Sequence, residues 1–293
     1  MTDERGQNLW LRRELPLLLL ILAIGAGFRI ARISFDSLDI DDLWHLELST
    51  GRGSPHVRLP SDQVIENAPA ATSLKDAPPF YAIWTHMDFV VHPPLYCTLL
   101  RLWRDVFGEG DVAARSFSIV CWLSAIVLMF IAGRQLNGLA PAAWAAMIFA
   151  TAPTQILLSE QVRAYGLMCA MGMGALVALV RLEKSPESAW KAAISLGLCT
   201  LGMMLSHYFA IGASLAIGAY VLLRLRGMKL KMAIISLAGA AVVFLIAWGP
   251  FLLRQRAYFA QTADVWLIEK TPEHLGYTFG RLASWCWWLI ART

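Results

Sequence analysis

Residues 111–133 read DVAARSFSIVCWLSAIVLMFIAG, and beyond Arg115 this stretch carries no charged side chain. A helix needs about 20 apolar residues to cross the hydrocarbon core of a bilayer. Backbone groups in lipid must pair within their own segment, so a membrane-spanning helix is expected here. Working outward, comparable apolar runs occupy 15–33, 141–158, 164–182, 190–206, 208–223 and 231–253. The tail 275–291, with Trp285-Cys286-Trp287-Trp288, has the make-up of one more. The whole chain agrees: 57% of its residues are hydrophobic and only 16% are charged, against about 45–50% and about 25% in a soluble domain. Its 12 Trp residues fit the same environment, because Trp favours membrane–water interfaces. The expected fold is all-α and integral to the membrane, a multi-span helical bundle of about 7–8 transmembrane helices.

The net charge of +4 is modest, and no compact basic run is interleaved with aromatics. Nucleic acid is therefore not expected as a partner; Lys and Arg collect in cytoplasmic loops for other reasons. The five cysteines, Cys97, Cys121, Cys169, Cys199 and Cys286, form no CxxC pair, and four lie in apolar runs. They read as packing residues rather than a disulfide framework or a zinc site. Arg12 and Arg13 precede the run Leu15–Gly27 as in a signal peptide, but no small-x-small cleavage site follows. The run is read as a retained first span.

Residues 34–91 form a long polar loop rich in Asp, Pro and Ser. Pro93–Phe107 is apolar but interrupted by Arg101, Arg104 and Asp105, and it is short for a span. It is expected to lie along the interface as a juxtamembrane helix with one apolar and one basic face. Charge asymmetry supports that choice. With Arg12 and Arg13 in the cytoplasm and 93–107 not crossing, the cytoplasmic loops hold Arg134, then Arg181, Lys184 and Lys191, then Arg224, Arg226, Lys229 and Lys231. The opposite loops near 159–163 and 207 hold only Arg163. A crossing at 93–107 would invert every later loop and destroy the bias. The reading is a multi-pass protein of the inner (plasma) membrane, with seven spans and a partial eighth. Its polar clusters share one face, periplasmic in a bacterium and otherwise exterior.

Four clusters carry the chemistry. The first is Asp39-Ile40-Asp41-Asp42-Leu43-Trp44-His45, just past the first span. Adjacent carboxylates at a membrane surface repel unless a cation, a proton or a substrate hydroxyl is shared. One of them could act as a general base; the plainer alternative is a solvated acidic loop. The second is His92-Pro93-Pro94-Leu95-Tyr96, where paired prolines suit a helix start and His92 could meet an anion or a metal. The third is Ser159-Glu160-Gln161-Val162-Arg163-Ala164-Tyr165, between two apolar runs. Ionisable groups there are expensive, which points to function. Arg163 could grip a phosphate with its planar fork of donors; alternatively it snorkels and pairs with Glu160. The fourth is His207-Tyr208, a site lining or an interfacial anchor.

In this order the clusters resemble the GT-C superfamily of polyprenyl-phosphate-sugar-dependent glycosyltransferases. The similarity is to the Rgt-like relatives of protein O-mannosyltransferases and of the lipid A aminoarabinose transferase. Asp41-Asp42 stands where the family has Asp-Glu, and His92 to Tyr96 matches His-Pro-Pro-Leu-Tyr opening a juxtamembrane helix. Arg115 and Gly133-Arg134 bracket the second span as in the family. The 159–165 turn matches Ser-Gln-Glu-Ala-Arg-x-Tyr with Glu160 and Gln161 exchanged. His207-Tyr208 and the segment from Trp248-Gly249-Pro250 to Arg254-Gln255 complete the set, so that the resemblance covers roughly residues 15–270.

The resemblance implies a GT-C-type catalytic module over 1–270, with 34–110 as periplasmic loop and juxtamembrane helix, and 271–293 as the start of a further, truncated span. It implies transfer of a sugar from a polyprenyl-phosphate donor to a glycan, lipid or protein acceptor, with inversion. Asp41 would be the base and Asp42 would orient it. His92, Glu160, Gln161, Arg163, Tyr165, His207 and Tyr208 would bind substrate. No cofactor is certain; a divalent cation could sit at Asp42 and His92. A transporter would use repeated halves with broken helices, and no repeat is evident. A non-catalytic membrane subunit is the other rival, suggested by the short chain.

Overall fold

The computed structural model describes residues 10–34, 36–60, 63–67, 69–87, 92–184 and 189–266. Among them there are helices and no strand. The helices are α1 Leu15–Ile30, α2 Ile40–Leu48, α3 Leu95–Phe107, α4 Asp111–Asn137, α5 Leu139–Thr151, α6 Pro153–Ser159, α7 Tyr165–Lys184, α8 Ala189–Ser206, α9 Ala210–Arg224 and α10 Gly227–Trp266. The chain divides into two compact units, Met1–Phe251 and Leu252–Thr293. In the second unit, residues 252–266 are described and helical. The further span expected at 271–293 lies outside the described residues.

Four helices, α4, α7, α8 and α10, are long and apolar enough to cross a membrane, or five if α5 and α6 count as one broken span. Two of the expected spans, 15–33 and 208–223, are shorter helices of 16 and 15 residues. Large apolar side chains cover the outside of the bundle: Trp144, Leu198, Leu215, Ile235 and Ile246 are all exposed, as a protein solvated by lipid requires. Inside, one cluster joins Leu18 and Ile21 of α1 to Ile126 and Phe130 of α4 and Ala142, Ala146 and Ala150 of α5. A second joins α7, α8, α9 and α10 through residues such as Leu179, Leu182, Leu196, Val221 and Ala233. Small residues set the spacing. A Cβ on Gly133 would lie 2.9 Å from Ala142 Cα, so α4 and α5 touch backbone to backbone.

α5 and α6 bend by 58° at Ala152. Pro153 has no N–H to donate and pushes the residue before it out of the helical region; Ala152 is extended, at φ −61° and ψ 125°. The break frees carbonyls of the last turn of α5. Arg29, fully buried, takes one: its Nη1 donates to Ala150 O and to Gly25 O of its own helix, both at 2.8 Å.

The polar segment 34–91 is not all loop. Asp39 caps α2: its side chain accepts from Asp42 N at 2.9 Å while Asp42 Oδ2 accepts from Asp39 N at 3.4 Å. This reciprocal capping satisfies two donors at the helix start. Short 3-10 turns follow at Pro55–Arg58 and Phe80–Thr85.

The expected basic face of the juxtamembrane helix points the other way. In α3, Arg101 and Arg104 are 7% and 2% exposed, whereas Leu102, Val106 and Phe107 are exposed. Arg101 Nη1 donates to Thr50 O at 2.9 Å. Arg104 donates to Leu46 O, Ser49 Oγ and Thr72 O at 3.1, 2.7 and 2.7 Å. Carbonyls at a helix C-terminus have no partners of their own and carry partial negative charge. The arginines therefore cap α2 instead of meeting lipid headgroups. Replacing Arg104 by Met takes the donor from Ser49 Oγ and Thr72 O, at about 1–3 kcal/mol for each that stays dry, while Leu46 O keeps the Ser49 hydroxyl. A clearly lower unfolding temperature in detergent is the expected result, and an unchanged one would refute the capping role.

Candidate functional site

Two chain segments far apart in sequence build the site. The first is the N-terminus of α2, which carries Asp39, Asp41 and Asp42. The second is the turn 160–163 between α6 and α7, brought to the same place by the break at Pro153. Gly166 opens α7 against Trp122, where a Cβ would lie 2.8 Å from the indole Cδ1, so the turn sits hard against α4.

Arg163 is the centre. Its Nη2 lies 2.6 Å from Asp39 Oδ2 and 3.0 Å from Asp41 Oδ2, and its Nε lies 3.8 Å from Asp42 Oδ1. Asp42 Oδ1 also accepts the backbone N–H of Val162 at 2.9 Å. The carboxylates differ in exposure: the Asp41 side chain is 41% exposed and that of Asp42 only 3%. Burial, and then the Asp39 carboxylate beside it, raise the Asp42 carboxyl above its usual range, against the backbone N–H groups of Val162 and Asp39 and the charge of Arg163. Burial works against the charge of Arg163, but Asp41, Asp39 and Asp42 together strengthen its hold on the proton. The alternative pairing of Arg163 with Glu160 does not occur. Glu160, buried, instead receives Arg32 Nε at 3.0 Å.

Beside the aspartates stands a row of imidazoles. The rings of His45 and His92 lie 5.0 Å apart, and those of His92 and His207 lie 5.1 Å apart. Tyr165 stacks on His207 at 5.2 Å, and Tyr96 meets His45 edge-on at 5.4 Å. His45 Nδ1 is 2.7 Å from Asp41 O; a carbonyl only accepts, so this nitrogen carries the proton. Burial lowers His45 to about 4, with the carbonyl of Asp41 opposing. Burial and then the neighbouring His45 lower His92 to about 3, and burial lowers His207. The Tyr208 hydroxyl accepts Trp248 Nε1 at 2.8 Å. Gln161 Oε1 is buried with no hydrogen-bond partner.

The His45 shift fixes a pH dependence. The unfolded chain binds a proton near 6.5 and the folded chain only near 4. Stability from this group is complete above 6.5 and is lost as pH falls through that window. At most about 3 kcal/mol is involved. Unfolding temperature in detergent should drop between pH 6.5 and 4, and less in His45→Gln.

Of the expected site residues, Asp41, Asp42 and Arg163 meet directly, and His92, Tyr165 and His207 line the adjoining aromatic row. Glu160 serves the edge of the site through Arg32, and Tyr208 serves α10. Asp39 and His45 belong to the first cluster but had no expected role there, and Arg32 was not expected to take part. Asp39 could have been found from the Asp-x-x-Asp spacing of a helix cap; Arg32 could not, because its partner is remote in sequence. Among the described residues no group of three or more His, Cys, Asp or Glu is arranged to hold a metal ion. Asp42 has its oxygens committed to Val162 and Asp39 N–H groups.

Carboxylates gathered around one guanidinium stand at the end of a bundle whose apolar cladding marks a polytopic membrane protein. The profile of the family described as dolichyl-phosphate-mannose-protein mannosyltransferase matches residues 91–253, more than half of the chain, and the chain belongs to that family. It is a membrane glycosyltransferase that draws on a lipid-phosphate sugar donor. No curated protein matches the chain closely enough to count as a relative. The family match takes in His92, Arg163 and His207 but starts after the aspartates, whose place in the site rests on geometry.

Proposed function

We propose that the protein transfers a sugar from a polyprenyl-phosphate donor to an acceptor hydroxyl at the outer face of the membrane, by one inverting displacement. The observation that carries this reading is Arg163 reaching three aspartates within 2.6–3.8 Å, in a chain whose family uses lipid-phosphate sugars. The fold would be the GT-C bundle, seven spans with the module over 1–270, where the short α1 and α9 also cross. Basic residues of the loops after α4, α7 and α9 would face the cytoplasm.

In this mechanism Asp41, the partly exposed carboxylate, accepts the acceptor's proton. The acceptor oxygen forms a bond to the anomeric carbon as the bond from that carbon to the phosphate oxygen breaks. Polyprenyl phosphate departs with the bonding electron pair, and its negative charge is met by Arg163. Such charge stabilisation is strongest where water is excluded. Carboxylates outnumber the guanidinium, so an arriving phosphate raises the repulsion. A proton on buried Asp42 relieves it, and Asp42 then orients Asp41. His92, Tyr165 and His207 form the wall against the sugar. The family description suggests mannose and a protein acceptor; other hexoses or pentoses, and glycan or lipid acceptors, fit the same chemistry.

Purified protein incubated with radiolabelled polyprenyl-phosphate sugars, mannose first, tests the reading. Release of lipid phosphate with a glycosylated product supports it. Movement of intact lipid across a vesicle, or neither event with an inserted protein, overturns it.

A further inference from the structure

A cavity opens toward the other end of the bundle from the aspartates. It has a volume of about 620 Å³ and opens between α4, α7 and α8. α7 has 20 residues with Tyr165 at one end and Lys184 at the other, which puts the basic rim of this cavity roughly 30 Å along the helix from the aspartate site at 1.5 Å per residue. Its deeper wall is apolar, from Leu128, Val177 and Cys199, and its rim is basic, from Arg181, Lys184 and Lys191.

Among the described residues no carboxylate pairs with any of the three cations. Glu183, the acid beside them, is engaged elsewhere: it accepts Tyr220 OH at 2.6 Å and pairs with Arg224 at 3.5 Å. Lys184 Nζ donates to Gln135 O, which holds this ammonium at the rim. Gln135 also lines the cavity, and its Oε1 is buried with no hydrogen-bond partner. The site therefore offers positive charge at a helix end, an acceptor for a hydroxyl, and an apolar cleft leading inward. Nothing in sugar transfer at the aspartates uses it.

We propose that this cavity binds an anionic phospholipid, with the headgroup phosphate among Arg181, Lys184 and Lys191, a headgroup hydroxyl donating to Gln135, and an acyl chain along Leu128 and Val177. Charge complementarity selects the anionic headgroup, and the apolar wall selects a lipid over a small solute. Basic pockets between membrane helices recognise anionic headgroups on this principle. The inference does not depend on the transfer mechanism, because the two sites share no residue.

Native mass spectrometry of the detergent-solubilised protein tests it, with phosphatidylglycerol, phosphatidylcholine and inorganic phosphate as separate probes. The expected result is selective retention of phosphatidylglycerol, undiminished by an equal concentration of inorganic phosphate. Arg181→Gln with Lys191→Gln should weaken that retention about 25-fold, roughly fivefold per charge, and leave phosphatidylcholine unchanged. Both side chains are exposed. Ser195→Trp, at the cavity wall, should block retention with every charge intact. Equal retention of the two lipids, displacement by inorganic phosphate, a second copy of the chain in place of lipid, or variants that bind as the wild type would each overturn the proposal. The wild-type lipid preference decides it even where a variant fails to insert.

Discussion

Asp41→Asn is expected to lower sugar transfer by about 10²–10⁴-fold, the range for losing a general base, while the protein still inserts and unfolds at its usual temperature. The reason lies in how the two neighbouring carboxylates are held. The Asp41 side chain is 41% exposed and can reach an incoming hydroxyl. Asp42 is 3% exposed and tied to Val162 N and Asp39 N. Asn at 42 keeps an oxygen for Val162 N–H, and burial already favours a neutral group there. Asp42→Asn should therefore lose much less activity than Asp41→Asn. Initial rates with saturating donor and acceptor check both. The reverse order, or full activity in Asp41→Asn, would remove Asp41 from its role.

Arg163→Gln is expected to cost about 10²–10³-fold in kcat, the range for removing one preorganised donor to developing negative charge. Gln can accept and donate hydrogen bonds but brings no charge, so the leaving phosphate loses its counter-ion. Arg163→Lys restores the charge without the planar fork that reaches Asp39 and Asp41 together. It should recover part of the rate, with a raised KM for the donor. If Gln and Lys behave alike, the guanidinium acts only as a structural partner of the aspartates.

Much of this was legible in the sequence because the two strongest signals are compositional. Apolar runs report insertion into lipid, and ionisable residues beside them are too costly to be idle. Arg163 stands out in that way, whereas Asp41, Asp42, His92 and His207 are candidates through the family resemblance. What composition does not carry is direction. Arg101 and Arg104 have the same spacing on α3 whether they reach headgroups or the carbonyls at the end of α2, and only the neighbouring helix decides. The helix Ile40–Leu48 was hidden inside a segment that reads as loop, although its Asp39–Asp42 cap was written in the spacing. The sequence leaves the partner of Glu160 open between Arg163 and none, because Arg32, which takes it, lies far off in the chain.

Arg29 gives the assembly a particular mechanical character. By bonding to Ala150 O at the break between α5 and α6, it rivets the helix that leads to the aspartates onto the hairpin that leads to the guanidinium. The aspartates and Arg163 thus ride on a common chassis fastened within the bundle. In the proposed mechanism, that fastening would hold the spacing between base and counter-ion whatever the acceptor.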